Sequence, residues 1–144
     1  MSDLRISNDF EDVKEIYNTL SDKEKFFLTG KSDLQVFPFI DRFIVYKNDL
    51  PIAFVESFAY DGMSKTFASV IIAVRKGYKR KHYGKMLMEK CMTSLKKKGY
   101  RRIIYSVDKN NIASQKLAES LNFTLIKQWK TPDGKFYYKK LEED

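Results

Sequence analysis

The sequence predicts a mixed α+β fold. The expected architecture is one central, twisted, mostly antiparallel sheet of about seven strands with a single parallel pair, flanked by about four helices, in a single domain over residues 1–144. Three observations predict it. The hydrophobic period switches from helical to strand-like at Arg42. An apolar run ending at Val74 is followed by a basic turn, a helical stripe and a further strand, an order that needs a right-handed crossover and a parallel pairing. Near the end of the chain, two runs, Phe123–Trp129 and Phe136–Leu141, flank Thr131-Pro132-Asp133-Gly134, a hairpin turn signal.

The elements follow in order. A short strand is expected at Leu4–Ile6. Asn8 reads as the N-cap of a helix, with Glu11 three residues on, and Phe10, Val13, Ile16, Tyr17 and Leu20 keep helical spacing towards a core. Ser21-Asp22-Lys23-Glu24 reopens a helical stretch that ends at Gly30. Phe43–Tyr46 and Ile52–Tyr60 are strands joined by a turn at Lys47-Asn48-Asp49. A loop at Asp61-Gly62 leads to Thr66–Val74, apolar on both faces near its end and therefore central. A helix over Lys81–Lys98 carries Tyr83, Leu87, Met88, Cys91, Met92 and Leu95 as one stripe, and Gly99 stops it. Ile103–Val107 is the next strand. A helix through Ala113, Leu117 and Leu121 follows, and Phe123–Trp129 with Phe136–Leu141 make the closing hairpin.

Composition bounds the function. Of 144 residues, 43% are hydrophobic and 32% charged, which suits a folded domain rather than a disordered one. The longest apolar run, Ser69–Val74, is too short to span a bilayer, and Met-Ser-Asp-Leu-Arg-Ile has no signal-peptide character. Cys91 stands alone and cannot form an internal disulfide, so a cytoplasmic location is expected. No Cys/His cluster suggests a metal. The formal net charge of +8 attracts anions, whether nucleic acid, membrane headgroups or phosphorylated cofactors, and does not choose among them.

Position chooses. The segment Val74–Leu87 joins a buried strand to a helix N-terminus, where backbone N–H groups and the helix dipole make a seat for phosphate. Arg75, Lys76, Lys79, Arg80, Lys81 and Lys85 surround that seat, and Gly84 lets a ligand approach the backbone without a Cβ in the way.

Here the chain resembles the GNAT superfamily of acetyl-CoA-dependent N-acetyltransferases. The family's phosphate-loop block is matched at Val74, Tyr78, Gly84 and Leu87, with Lys79 replacing its first position and His82 its middle glycine. A second block, Asn111 to Phe123, matches at Asn111, Ser114, Leu117 and Phe123, with Ala118 in place of a Tyr and Asn122 in place of a Gly. The resemblance covers nearly the whole chain. It implies an acetyltransferase that acylates a primary amine with acetyl-CoA as co-substrate and no metal. The cofactor would lie where the parallel pair splays, its pantetheine along Ile72, Ala73 and Val74. Its pyrophosphate would rest on the turn Lys79, Arg80, Lys81, His82, Tyr83, Gly84 and Lys85, and its thiol side near Asn111 and Ser114. The Val74 N–H would hold the oxyanion.

An ammonium acceptor must lose a proton before it attacks, which costs a lysine about 4 kcal/mol at neutral pH. In ribosomal-protein alanine acetyltransferases the acid–base pair falls at the positions of Ser106 and Ala118, which cannot serve. Glu56, a carboxylate inside the apolar strand Ile52–Phe58, is the expected base, and a solvent-facing strand residue is its plain alternative. Ser114, Tyr105 and Tyr137 are candidate acids. His82 reads as a phosphate-loop contact or spacer, Cys91 as packing, and Lys96–Lys98 with Arg101 and Arg102 as a solvated helix end. The competing classes are a basic nucleic-acid-binding module, which lacks any recognition pattern, and a CoA-binding fold-mate without turnover. The acceptor amine, the acyl group's identity and the oligomeric state, a homodimer included, stay open.

Overall fold

The structure is a computed structural model, and it describes residues 2–6, 9–22, 24–25, 39–59, 67–78, 82–127, 129 and 134–141. Among the described residues there are seven strands: β1 (Ser2–Ile6), β2 (Asp41–Lys47), β3 (Leu50–Ala59), β4 (Phe67–Val74), β5 (Arg102–Asp108), β6 (Thr124–Leu125) and β7 (Gly134–Lys140). Three helices are described, α1 (Phe10–Tyr17), α2 (Tyr83–Lys97) and α3 (Ile112–Ser120), rather than the expected four. The stretch from Ser21 opens as anticipated. Ser21 Oγ accepts from the Glu24 N–H at 3.2 Å while Glu24 Oε1 accepts from the Ser21 N–H at 3.4 Å, a reciprocal capping box. Its continuation to Gly30, the Asp61-Gly62 loop and Thr131–Asp133 lie outside the described residues.

The strand order is β1-β2-β3-β4-β5-β7-β6, with β4 fourth of seven and every pairing antiparallel except β4 with β5. Asn48 (φ 51°) and Asp49 (φ 67°) form the two-residue turn between β2 and β3, both left-handed, as Asn and Asp tolerate. α1 is capped by Asp9, whose side chain accepts from the Glu11 N–H at 3.0 Å, and not by Asn8 as expected. Adjacent Asn and Asp cap equally well, so the sequence does not choose between them. β6 spans two residues where a strand to Trp129 was expected. Beyond Leu125 the chain keeps one ladder bond, Ile126 N–H to Phe136 O at 2.8 Å, and then turns.

Two cores separate the faces of the sheet. Val13, Ile16, Tyr17 and Leu20 pack on Ile44, Tyr46, Phe54 and Ala73 on one face. On the other, Tyr83, Leu87, Met88, Cys91 and Leu95 of α2, with Ala118 and Phe123 beyond, cover Phe43, Val45, Val55, Val70, Ile103, Tyr105 and Val107. Each fully buried aliphatic side chain is worth about 1.5–3 kcal/mol, so these two stripes fix how α1 and α2 lie on the sheet. Both long-helix ends use a left-handed residue. Gly99 (φ 90°) follows α2 and Asn122 (φ 64°) follows α3, each closed by the six-to-one bond of a Schellman motif, Tyr100 N–H to Leu95 O and Phe123 N–H to Ala118 O.

Candidate active site

The site begins where the parallel pair stops pairing. β4 and β5 are in register only from Phe67↔Arg102 to Val70↔Tyr105, although β4 runs on to Val74 and β5 to Asp108. β3 continues to pair with β4 as far as Val74, and β7 with β5 as far as Asp108, so the two half-sheets part and leave a gap between residues 71–74 and 106–108. The backbone of β4 faces that gap with alternate residues. Arg75 donates its N–H to Ile52 O at 2.6 Å, which fixes Ala73 and Ile71 as the other residues turned to β3. Ile72 and Val74 therefore turn their N–H groups into the gap. Two donors about 7 Å apart on one strand edge, with no strand opposite, are what an acyl carbonyl and an amide-rich chain can use. Ala73, expected beside them, points its side chain into the α1 core and its N–H to β3, so it contributes no donor.

α2 opens at the mouth of the gap. His82 occupies its N-cap position at φ 63° and makes no side-chain cap, and the first intrahelical bond is Met86 N–H to His82 O at 3.1 Å. The N–H groups of Gly84 and Lys85, ahead of that bond, have no intrahelical acceptor and can serve an external one. No acidic residue stands in that first turn, unlike α1, which carries Glu11 and Asp12 there. His82 and Lys85 are exposed, whereas the Tyr83 side chain is core. Lys79, Arg80 and Lys81 lie outside the described residues. Gly84 has a role beyond open access. A Cβ there would stand 3.3 Å from Leu117 Cδ2 and 3.9 Å from Ile72 Cγ2, so the glycine lets α2 approach α3 across the wall of the gap.

On the far wall, Asn111 caps α3 by accepting the Ser114 N–H at 3.1 Å, which commits its carbonyl oxygen. The Ser114 side chain hydrogen-bonds the Tyr105 hydroxyl at the last paired rung, and burial pushes that phenol up while the serine bond opposes the shift. Tyr137, paired with Tyr105 and also buried, is pushed up by burial and by Glu119. Both phenols therefore stay protonated and can donate hydrogen bonds but release protons reluctantly. Buried Gln115 ties the wall together: its Nε2 donates to Lys109 O at 2.8 Å and to Asp108 O at 3.4 Å, and its Oε1 accepts from Lys135 Nζ at 3.0 Å.

Glu56 has a partner the sequence did not suggest. It is 5% exposed, so it is not the solvent-facing residue of the plain alternative, and Arg42 Nε donates to its Oε2 at 2.6 Å. Burial pushes the carboxyl up, and the Arg42 guanidinium pulls it back. Arg42 in turn stacks over Phe39, 4.2 Å from the ring centroid. Cys91 is buried with its thiol pushed up to about 12, chiefly by burial, and is packing as expected. On the α1 side, a cleft of about 470 Å³ is lined by Thr19, Leu20, Ser21, Glu24, Lys76 and Gly77.

This arrangement has known counterparts. The acetyltransferase (GNAT) family matches residues 7–123. The chain belongs to the GNAT acetyltransferase family. Among solved structures it is similar to an N-acetyltransferase from Staphylococcus aureus Mu50, with TM-score 0.75 at 19% identity over 99% of both chains. It is also similar to YncA from Salmonella typhimurium, determined with its cofactor acetyl-CoA, with TM-score 0.76 at 15% identity, 100% of this chain and 96% of the other. A third is the ribosomal-protein-S18-alanine N-acetyltransferase of Escherichia coli, with TM-score 0.72 at 21% identity, again over 100% and 96%. A search among curated proteins finds no match. At these identities the likeness is one of fold. The GNAT fold here keeps the splayed pair and the open helix N-terminus, and no helix among the described residues is long and apolar enough to cross a membrane.

Proposed function

We propose that this GNAT protein transfers the acetyl group of acetyl-CoA directly to a primary amine. The observation that carries the reading is the gap. Two N–H donors, Ile72 and Val74, face it along its length, and an uncapped, acid-free helix N-terminus stands at its mouth. Ile72 and Val74 would hold the thioester carbonyl and the pantetheine amides, stabilising charge on oxygen as the carbonyl is attacked. Gly84 and Lys85 would hold pyrophosphate through backbone N–H, helped by the Lys85 charge and the basic turn before it. Ser114, oriented by its bond to Tyr105, would donate to the sulfur side. YncA's determination with acetyl-CoA supports the choice of ligand for a shared fold. The cytoplasm and a single catalytic domain complete the reading.

The test is calorimetric titration with acetyl-CoA, followed by a panel of polyamines, aminoglycosides, amino acids and peptide N-termini assayed for free CoA thiol. Acetyl-CoA is expected to bind and to raise the Tm, with about 2.7 kcal/mol of added stability at a hundredfold excess over Kd. No heat at millimolar ligand, or tighter binding to heparin than to acetyl-CoA, would overturn the reading.

A further inference from the structure

We infer that Asp108 is the carboxylate that receives the acceptor's ammonium group and takes its proton, an inference that rests on the acetyl-transfer reading above. The argument is one of placement. Ile103, Tyr105 and Val107 point into the core under α2 and α3, so strand alternation turns Ser106 and Asp108 to the opposite face, the face that carries Ala73 and α1. Continuing the Val70↔Tyr105 register across the gap sets Ser106 opposite Ile71 and Asp108 opposite Ala73. Asp108 thus stands level with the interval between the Ile72 and Val74 donors. A carbonyl held by either donor presents its carbon within the same gap, and a nucleophile arriving from the α1 face passes the Asp108 carboxylate.

The side chain is free to act. Asp108 is half-buried, and its Oδ1 accepts the Asn110 N–H at 2.9 Å in an Asx turn. Oδ2 has no partner among the described residues. Its cross-strand neighbour on β7 is Gly134, which puts no side chain beside it. The backbone that carries it is held by buried Gln115 through Asp108 O and Lys109 O, which makes Gln115 a positioning residue. The charged groups around it are accounted for. Lys109 is next in the chain and exposed. Lys135 bonds Gln115 from β7. Arg75, beyond the end of β4, is held by Glu15 and by Pro51 O. None of these cations forms an ion pair with Asp108, so a cationic amine meets an available carboxylate.

The step balances without a further reactant. One ammonium proton passes to Asp108, directly or through a water, and on to solvent. The freed lone pair forms the N–C bond to the acetyl carbon. The C–S bond breaks with its electron pair to sulfur, and the second nitrogen proton leaves as CoA is released as the thiol.

Asp108→Asn keeps an Oδ1 for the Asx turn and removes the charge, so it separates chemistry from folding. The experiment measures kcat/KM from neutral to alkaline pH for wild type, D108N and D108E. The probes are the best cationic amine of the panel and hydroxylamine, which is already neutral at pH 7. D108N is expected to lose roughly 10²–10⁴ in kcat/KM with the cationic amine at neutral pH, recovering as the pH rises. With hydroxylamine, once the uncatalysed cleavage of the thioester is subtracted, the loss in D108N should be much smaller than with the cationic amine; acetyl-CoA affinity and Tm should hold, and D108E should recover part of the loss. An unchanged pH profile in D108N, or an equal loss with hydroxylamine, would overturn the assignment while leaving acetyl transfer standing. A wild type that binds no acetyl-CoA would instead bring down the reading on which it rests.

Discussion

A carboxylate and a guanidinium that share a dry strand pair behave as one unit, and Glu56 with Arg42 is such a unit. Both are 5% exposed, and they sit directly opposite each other in the β2–β3 register. Glu56→Gln removes the carboxylate charge that faces the buried Arg42 guanidinium, which is expected to cost about 3–5 kcal/mol of stability, read from denaturant midpoints. The sign of the pH effect follows from the raised carboxyl. A group whose folded pKa exceeds its unfolded value favours the fold while both states are protonated, and that share is lost as pH rises through the folded value. The pair with Arg42 then limits the loss. The advantage of the wild type over E56Q should therefore shrink as pH rises through that window, and a difference that grows with pH would contradict the raised carboxyl. If Glu56 were also a base, E56Q would lose rate with alkaline recovery at unchanged acetyl-CoA affinity. Arg42 was not legible in the sequence. Its position opposite Glu56 depends on the register shift between Val45 and Tyr46, and no residue type announces that shift. Gly99 and Asn122 were legible because a left-handed helix end restricts the residue types that can occupy it.

At the scale of elements, Gly84 shows how a helix contact and a ligand contact can share one position. Its absent Cβ faces Leu117 of α3 and Ile72 of β4, so a larger side chain must either part the helices or enter the gap. Gly84→Val is expected to weaken acetyl-CoA binding roughly tenfold or more, with overpacking adding about 1–3 kcal/mol of destabilisation. Gly84→Ala should fall between it and wild type. Calorimetry on folded variants checks both, and an unchanged Kd for the valine variant would mean that α2 does not border the ligand. The glycine itself was legible from its place at a strand-to-helix turn, but its neighbours were not. Leu117 lies on another helix, and the sequence carries no record of which helix comes close. The helices were read well because their apolar stripes repeat for several turns. β6 was misread because Phe123-Thr124-Leu125-Ile126 alternates like a longer strand than the pairing supports.

Across the whole molecule, the sheet is two half-sheets joined along four residue pairs, from Phe67↔Arg102 to Val70↔Tyr105. A ligand in the gap would hydrogen-bond the strand edge that β5 leaves bare. Amide hydrogen exchange at Ile72 and Val74, and in the first turn of α2, is therefore expected to slow markedly when acetyl-CoA is added. Exchange there that ignores a bound cofactor would contradict the placement of the ligand. The architecture was legible because each level agreed: the change of period at Arg42, the crossover after Val74 and the closing hairpin all specify one topology. The parting of the strands was not, since Ile71–Val74 and Ser106–Asp108 have ordinary strand compositions and only their lost partnership marks the site. That same join has a kinetic side. β2, β3 and β4 are successive neighbours whose contacts close short stretches of chain, and their two-residue turn at Asn48-Asp49 makes the first of them a local event. The β4–β5 rungs cannot form until α2 and both its connections have been drawn in, and non-local parallel pairing is slow. The meander should thus assemble early and the central seam late, so the gap between the half-sheets is expected to be the part of this protein that comes into existence last.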